Sequence, residues 1–232
     1  MNKKVREKVN KDWYDFQKNL KENNRFFIDN EFQQKLENVI QRHSIHLNSG
    51  TDLYRARINY SLPLEKPIPI EKMGAPPKDN AKANRASPIG ISYLYTSLDE
   101  KICVSEVRPS IGQFVTIAKF MVRKKLLIAS FYDAFAGVSD EYVDYLAMNI
   151  NATFSRPIIF GESEIEYLPF QFISELIKRL DYDGIQYSSN FKTSISERNQ
   201  TNLVLFDENL VKPVAETKAV KIIKSNLDYI EL

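Results

Sequence analysis

Apolar side chains in the first fifty residues recur at helical spacing. Val5, Val9, Trp13, Phe16 and Leu20 fall on one stripe, with lysines and aspartates opposite. Asn23-Asn24 interrupts it, and the spacing then predicts a second helix from about Glu31 to Ile45. Phe32, Leu36, Val39 and Ile40 face inward, Asp29 and Asn30 are its cap candidates, and Leu47-Asn-Ser-Gly50 ends it. Residues 1–50 are read as a helical hairpin appended to a main domain spanning 51–232.

From Asp52 the period shortens to two. Leu53-Tyr-Arg-Ala-Arg-Ile58 alternates like a strand. Residues 63–77 hold five of the ten prolines, which predicts an extended loop, because proline lacks an N–H and restricts its predecessor. A strand is expected over Ile91 to Tyr95. A helix should follow, with Ser97 as N-cap and Glu100 completing a capping box, ending before Pro109. Gln113–Val122 and Lys125–Phe131 read as two strands paired across Arg123-Lys124. Residues 139–152 and Phe170–Leu180 read as helices. Gly184–Tyr187, Thr201–Phe206 and Val211–Ala215 read as late strands, with a charged tail from Lys218. Hairpin-like strands and scattered helices without regular βα alternation indicate an α+β fold.

Charge narrows the partners. The 32 basic and 30 acidic residues leave a net charge of +2, so nothing demands a nucleic acid or a membrane. The charged start, Met1 to Lys8, lacks the apolar core of a secretory signal, and no apolar run nears the roughly 18 residues of a span. A single cysteine, Cys103, fits a reducing compartment, and a cytoplasmic location is expected. His43 and His46, both placed on the second helix, lie far from that thiol, so no zinc site is expected and no catalytic triad either. The seven glycines form no phosphate-cradling loop, which leaves arginine to grip any phosphate.

Candidate chemistry thus falls to Arg, Tyr, Glu and Ser. Glu106 follows Ile102 and Cys103 on the apolar face of its helix. A carboxylate there is paired (Arg108 is within reach), frayed into solvent, or functional. Tyr95 precedes it by eleven residues, either as a core ring or as part of a site. Arg55 and Arg57 share one strand face. Exposed, they would be ordinary; aimed into a cleft, they would clamp an anion. Arg85 follows the proline-rich loop with no apolar periodicity to account for it.

Taken jointly, these segments resemble one family. Tyr54-Arg-Ala-Arg57, the run from Asn84-Arg-Ala-Ser-Pro through Tyr93-Leu-Tyr-Thr-Ser to Glu106-Val-Arg-Pro109, Tyr167-Leu-Pro-Phe-Gln-Phe-Ile-Ser174, Asp183-Gly-Ile-Gln-Tyr-Ser-Ser189 and Asn202-Leu-Val-Leu-Phe206 are similar to the RES domain over about residues 52–207. The resemblance implies an ADP-ribosyltransferase-like fold: mixed or antiparallel sheets with flanking helices. It implies a toxin of a toxin–antitoxin pair that cleaves the nicotinamide–ribose bond of NAD⁺, as a phosphorylase or a glycohydrolase. Inorganic phosphate is then a candidate co-substrate and NAD⁺ the substrate, with no further cofactor. Arg55 and Arg85 would hold phosphates and ribose, Tyr95 would orient the nicotinamide, and Glu106 would stabilise the sugar cation. Ser189 and Asn202 would complete the pocket, with Tyr54 and Arg57 as further substrate contacts. Aligned to the family motif from Tyr187, the functional serine is Ser189 rather than its neighbour Ser188. The implied partner is a helix-turn-helix antitoxin of the Xre type. Two alternatives stay open: ADP-ribosyl transfer to a macromolecule, and a non-catalytic nucleotide- or partner-binding module.

Overall fold

The protein is described by a computed structural model over residues 2–132, 140–156, 164–191 and 200–224. Helix α1 (Lys3–Glu22) buries Val9, Trp13, Phe16 and Leu20, and α2 (Asn30–Arg42) buries Phe32, Leu36, Val39 and Ile40, the two stripes expected. Asp29 caps α2 by accepting from the Phe32 amide at 2.9 Å. The aromatic rings interlock across the elements: Phe16 lies 5.0 Å from Phe32 and 5.7 Å from Phe172, centroid to centroid.

The remaining elements are β1 (Ser44–Leu47), β2 (Asp52–Ile58), β3 (Leu94–Ser97), α3 (Glu100–Glu106), β4 (Phe114–Val122), β5 (Leu126–Ser130), α4 (Glu141–Ser155), α5 (Leu168–Arg179), β6 (Gly184–Ser188), β7 (Thr201–Leu205), β8 (Val211–Pro213) and β9 (Lys218–Lys221). Among the described residues, nine strands form one sheet in the order β1-β5-β6-β7-β3-β2-β4-β8, with β9 also on β4. Only β5 and β6 run parallel among these pairs. Helices and a mixed sheet make the architecture α+β, as the sequence indicates. Gly184 opens β6 where an added Cβ would collide with the Val204 carbonyl, so the close approach of β6 and β7 needs glycine there.

One apolar core lies between the sheet and helices α1, α2, α4 and α5. Side chains of α1 and α2 share it with Phe131, Phe154, Ile185, Tyr187 and Val204. Each fully buried large side chain contributes roughly 1.5–3 kcal/mol relative to exposure, so the N-terminal helices stabilise the whole fold. The opposite face packs Leu53, Leu94, Leu203 and Leu205 against Met73 and its neighbours, while α3 covers Ala56, Val115 and Ile117 through Cys103.

Several expectations are corrected. The second helix stops at Arg42, and residues 44–47 form an edge strand on β5, so His43 is a cap residue and His46 lies in β1. The strand before α3 begins at Leu94 rather than Ile91. Asp99, not Ser97, caps α3: its carboxylate accepts from the Lys101 and Ile102 amides, while Ser97 Oγ bonds the Thr201 carbonyl within the sheet. β4 and β5 do not pair. Both edges of β4 are occupied, by β2 on one side and by β8 and β9 on the other, and Arg123 bonds Leu210 and Val211 to lead the chain away. Lys218–Lys221, expected in a charged tail, is strand β9, and residues 70–72 within the proline-rich loop and 78–80 just after it form short 3₁₀ turns.

Candidate active site

Glu106 ends α3, whose buried Ile102 and Cys103 fix the helix against the sheet. Its Oε1 accepts from Ser189 Oγ and from Asn202 Nδ2, both at 2.6 Å. Such short charge-assisted bonds hold a carboxylate in one orientation. Asn202 lies at the start of β7, in register with Ser97 of β3 and Tyr187 of β6. Ser189 follows β6, its amide bonded to the Gln200 carbonyl at 2.9 Å. The neighbouring serine is turned elsewhere: Ser188 Oγ accepts from Asn151 Nδ2 at 2.9 Å and its amide donates to Asn151 Oδ1 at 2.9 Å. Of the two serines, Ser189 is the one at the carboxylate.

Tyr95 and Arg85 join the same region. The Tyr95 ring packs on the helix-covered side of the sheet, and its hydroxyl accepts from the Ala86 amide at 3.2 Å and lies 3.0 Å from Ser87 Oγ. Burial pushes this phenol upward despite those bonds and Arg85, so it is neutral near pH 7. Arg85 donates to the carbonyls of Phe154 and Arg156 at the end of α4, and its guanidinium lies 5.8 Å from the Phe170 ring centroid. Burial lowers its pKa, opposed by Tyr187, Glu106 and Tyr167. Tyr187, fully buried beside Phe154, is raised by burial in the same field of Tyr95, Arg85 and Glu106. It was not among the expected site residues, though it stands two positions before Ser189 on an alternating strand.

Arg55 and Arg57 do share one strand face, but not the face of Tyr95. In β2, Tyr54 pairs with Ser97, and Tyr54, Ala56 and Ile58 pack against α3, so alternation sends both arginines to the Leu53 side. Tyr54–Ser97 is the sole registered pair of β2 and β3. Beyond it, Arg55 Nη1 donates to the Tyr95 carbonyl at 3.1 Å, and Arg57 Nη2 donates to the Gly74 carbonyl at 3.0 Å. Burial and the adjacent Arg57 push Arg55 down to about 10, with Glu208 and Tyr95 opposing, so it is still charged at neutral pH. Its Nε is buried without a partner. Arg57 lines a cleft of about 790 Å³ together with Ala56, Ile58, Lys66, Lys72 and Val107, and among the described residues no carboxylate lines it. Val107, the residue after Glu106, is the part of α3's end that lines this cleft; Glu106 itself does not.

Burial pushes the Cys103 thiol up to about 12, which makes it a poor nucleophile. Among the described residues, no group of three or more His, Cys, Asp or Glu is arranged to hold a metal, and no helix is long and apolar enough to cross a membrane. The cluster offers one oriented carboxylate, one arginine and two buried tyrosines.

Comparison with known proteins gives two matches. No curated protein matches the chain. Among solved structures, the M. tuberculosis MbcT–MbcA toxin–antitoxin complex aligns at a TM-score of 0.48 and 10% identity, covering 82% of this chain and 93% of that one. Residues 53–228 match the model of the RES domain, and the chain belongs to the RES domain family.

Proposed function

We propose that the protein degrades NAD⁺ by cleaving the bond between nicotinamide and ribose. The observation that carries this reading is the Glu106 carboxylate held by Ser189 and Asn202 at 2.6 Å, with Arg85 in its electrostatic surroundings. Nicotinamide leaves as a neutral molecule, so the barrier lies in forming a cationic sugar. A preorganised carboxylate stabilises such charge by about 3–4 kcal/mol. Tyr95 and Tyr187 supply neutral rings beside it. The Arg57, Lys66 and Lys72 cleft, which Val107 also lines, is assigned the pyrophosphate end in this reading. In this reading the attacking group, water or inorganic phosphate, adds to the sugar carbon that nicotinamide vacates. We further propose that the activity is that of a toxin restrained by an antitoxin.

Purified protein incubated with NAD⁺, with and without phosphate, should release nicotinamide. Release that requires phosphate identifies a phosphorylase, and release without it a glycohydrolase. Folded protein that releases none under either condition refutes the proposal. Radioactivity transferred from adenine-labelled NAD⁺ to a macromolecule would instead assign ADP-ribosyl transfer.

A further inference from the structure

The segment Tyr167 to Ser174 stands out in the sequence, yet no step above uses Gln171. In the structure its amide nitrogen donates to the Asn84 carbonyl at 3.0 Å and to the Ser87 carbonyl at 3.3 Å. Those two carbonyls bracket Arg85. The same tight turn is closed by the Asn84 amide on the Ser87 carbonyl at 2.8 Å, and from its other side by the Tyr95 hydroxyl on Ala86 and Ser87. Two acceptors facing one side-chain amide require its nitrogen, and fix the glutamine's orientation. Phe170, the preceding residue on α5, lies beneath the Arg85 guanidinium. One dipeptide of α5 thus holds both the backbone and the head group of Arg85.

We propose that Gln171 is a positioning residue, which sets the place of Arg85 in the substrate site through the carbonyls of Asn84 and Ser87. The inference rests on the reading that Arg85 binds substrate. Gln171 is out of direct contact with the reacting atoms in this role and acts through the 84–87 turn. Its loss lets the turn and the guanidinium shift together, which weakens substrate binding and spares the chemistry at Glu106.

Gln171→Glu keeps the shape and removes both N–H donors, while Gln171→Lys restores a donor of similar reach. In Gln171→Glu, KM for NAD⁺ should rise about tenfold, with kcat within about twofold, as the loss of two hydrogen bonds to the turn reaches Arg85 only in part. Gln171→Lys should recover most of that loss. In an Arg85→Ala background the Gln171 substitution should add nothing, since both act on one group. An unchanged KM in Gln171→Glu, or an equal rise in the Arg85→Ala background, overturns the proposal. If Gln171→Glu does not fold, Gln171→Met takes its place in each comparison. If the parent protein turns over no NAD⁺, the proposed function fails, and the positioning role is read on Arg85 itself. The Arg85 Nε–H NMR signal, assigned by its loss in Arg85→Lys, should move toward the solvent-averaged arginine position in the Gln171 variant. A signal that stays in place overturns it.

Discussion

Replacing Glu106 by glutamine separates catalysis from stability. The carboxylate accepts two bonds at 2.6 Å, from Ser189 Oγ and Asn202 Nδ2. Both donors meet one oxygen, Oε1, so a glutamine with its carbonyl oxygen in that place keeps both bonds but without their charge assistance. The ground-state loss is then that charge assistance, on the order of 1 kcal/mol. Ser189 also accepts from the Phe191 amide at 3.1 Å, so its hydroxyl keeps a partner. For a chain of this size, 1 kcal/mol lowers Tm by roughly 2–4 °C. The transition-state loss is larger, because the negative charge itself is removed: about 10²–10³-fold in kcat, or roughly 2.7–4 kcal/mol. Nicotinamide release under saturating NAD⁺, with calorimetric melting of the same samples, measures both. A kcat within tenfold of the parent, or a Tm lowered by more than about 8 °C, refutes the assignment of Glu106 as the charge-stabilising group and returns it to a structural role.

The adjacent serines give a sharper contrast: Ser189→Ala should lower kcat about tenfold by removing one of the two bonds that orient the Glu106 carboxylate, whereas Ser188→Ala, which loses only the bond its hydroxyl accepts from Asn151, should leave kcat within about threefold. Trp13→Ala, on α1, should cost about 3–5 kcal/mol in urea denaturation, and a chain lacking residues 1–48 should fail to melt cooperatively, since it loses eight core side chains and the edge strand on β5. His43 gives a pH test. Burial lowers its pKa below 6.5, against the raising effect of Asp144, whose Oδ1 lies 3.5 Å from its Nε2. The unfolded chain therefore takes up a proton before the folded one does, so stability present at pH 7 falls as pH drops below 6.5. His43→Gln should flatten that fall in urea midpoints between pH 7 and 5.5; an unchanged slope refutes it.

Periodicity made the helices legible, because the stripe of α1 and that of α2 each meet one continuous core. What periodicity does not encode is competition for sheet edges. Ser44 to Leu47 carries no turn signal that separates it from α2, and it becomes a strand because β5 offers an open edge. The turn at Arg123-Lys124 looks local, yet β4 is already paired on both sides, so β5 is sent to β1 and β6. Lys218-Ala-Val-Lys221 did carry a strand signal: its lysines flank two apolar residues, as edge strands commonly show. Ser97 satisfied the capping pattern, but its hydroxyl is held by the Thr201 carbonyl, so the helix starts only once the chain has left the sheet at Asp99.

The site shows the same division. Glu106, Ser189 and Asn202 lie up to 96 residues apart in sequence and meet within hydrogen-bonding distance, a meeting that family resemblance signalled and spacing alone did not. Alternation correctly put Arg55 and Arg57 on one face, but the choice of face depends on the Tyr54–Ser97 pairing, which no local pattern encodes. That pairing changes what the arginines do. Arg55 is bonded to the Tyr95 carbonyl and Arg57 to the Gly74 carbonyl, so each braces an element before it meets any ligand. Arg85 is held in the same manner, by carbonyls at the end of α4. Three guanidiniums anchored to backbone carbonyls keep their charge while losing rotamer freedom. If the proposed function holds, the ordering cost of gripping an anionic substrate is thus met largely during folding, because the arginine heads are placed before the substrate arrives.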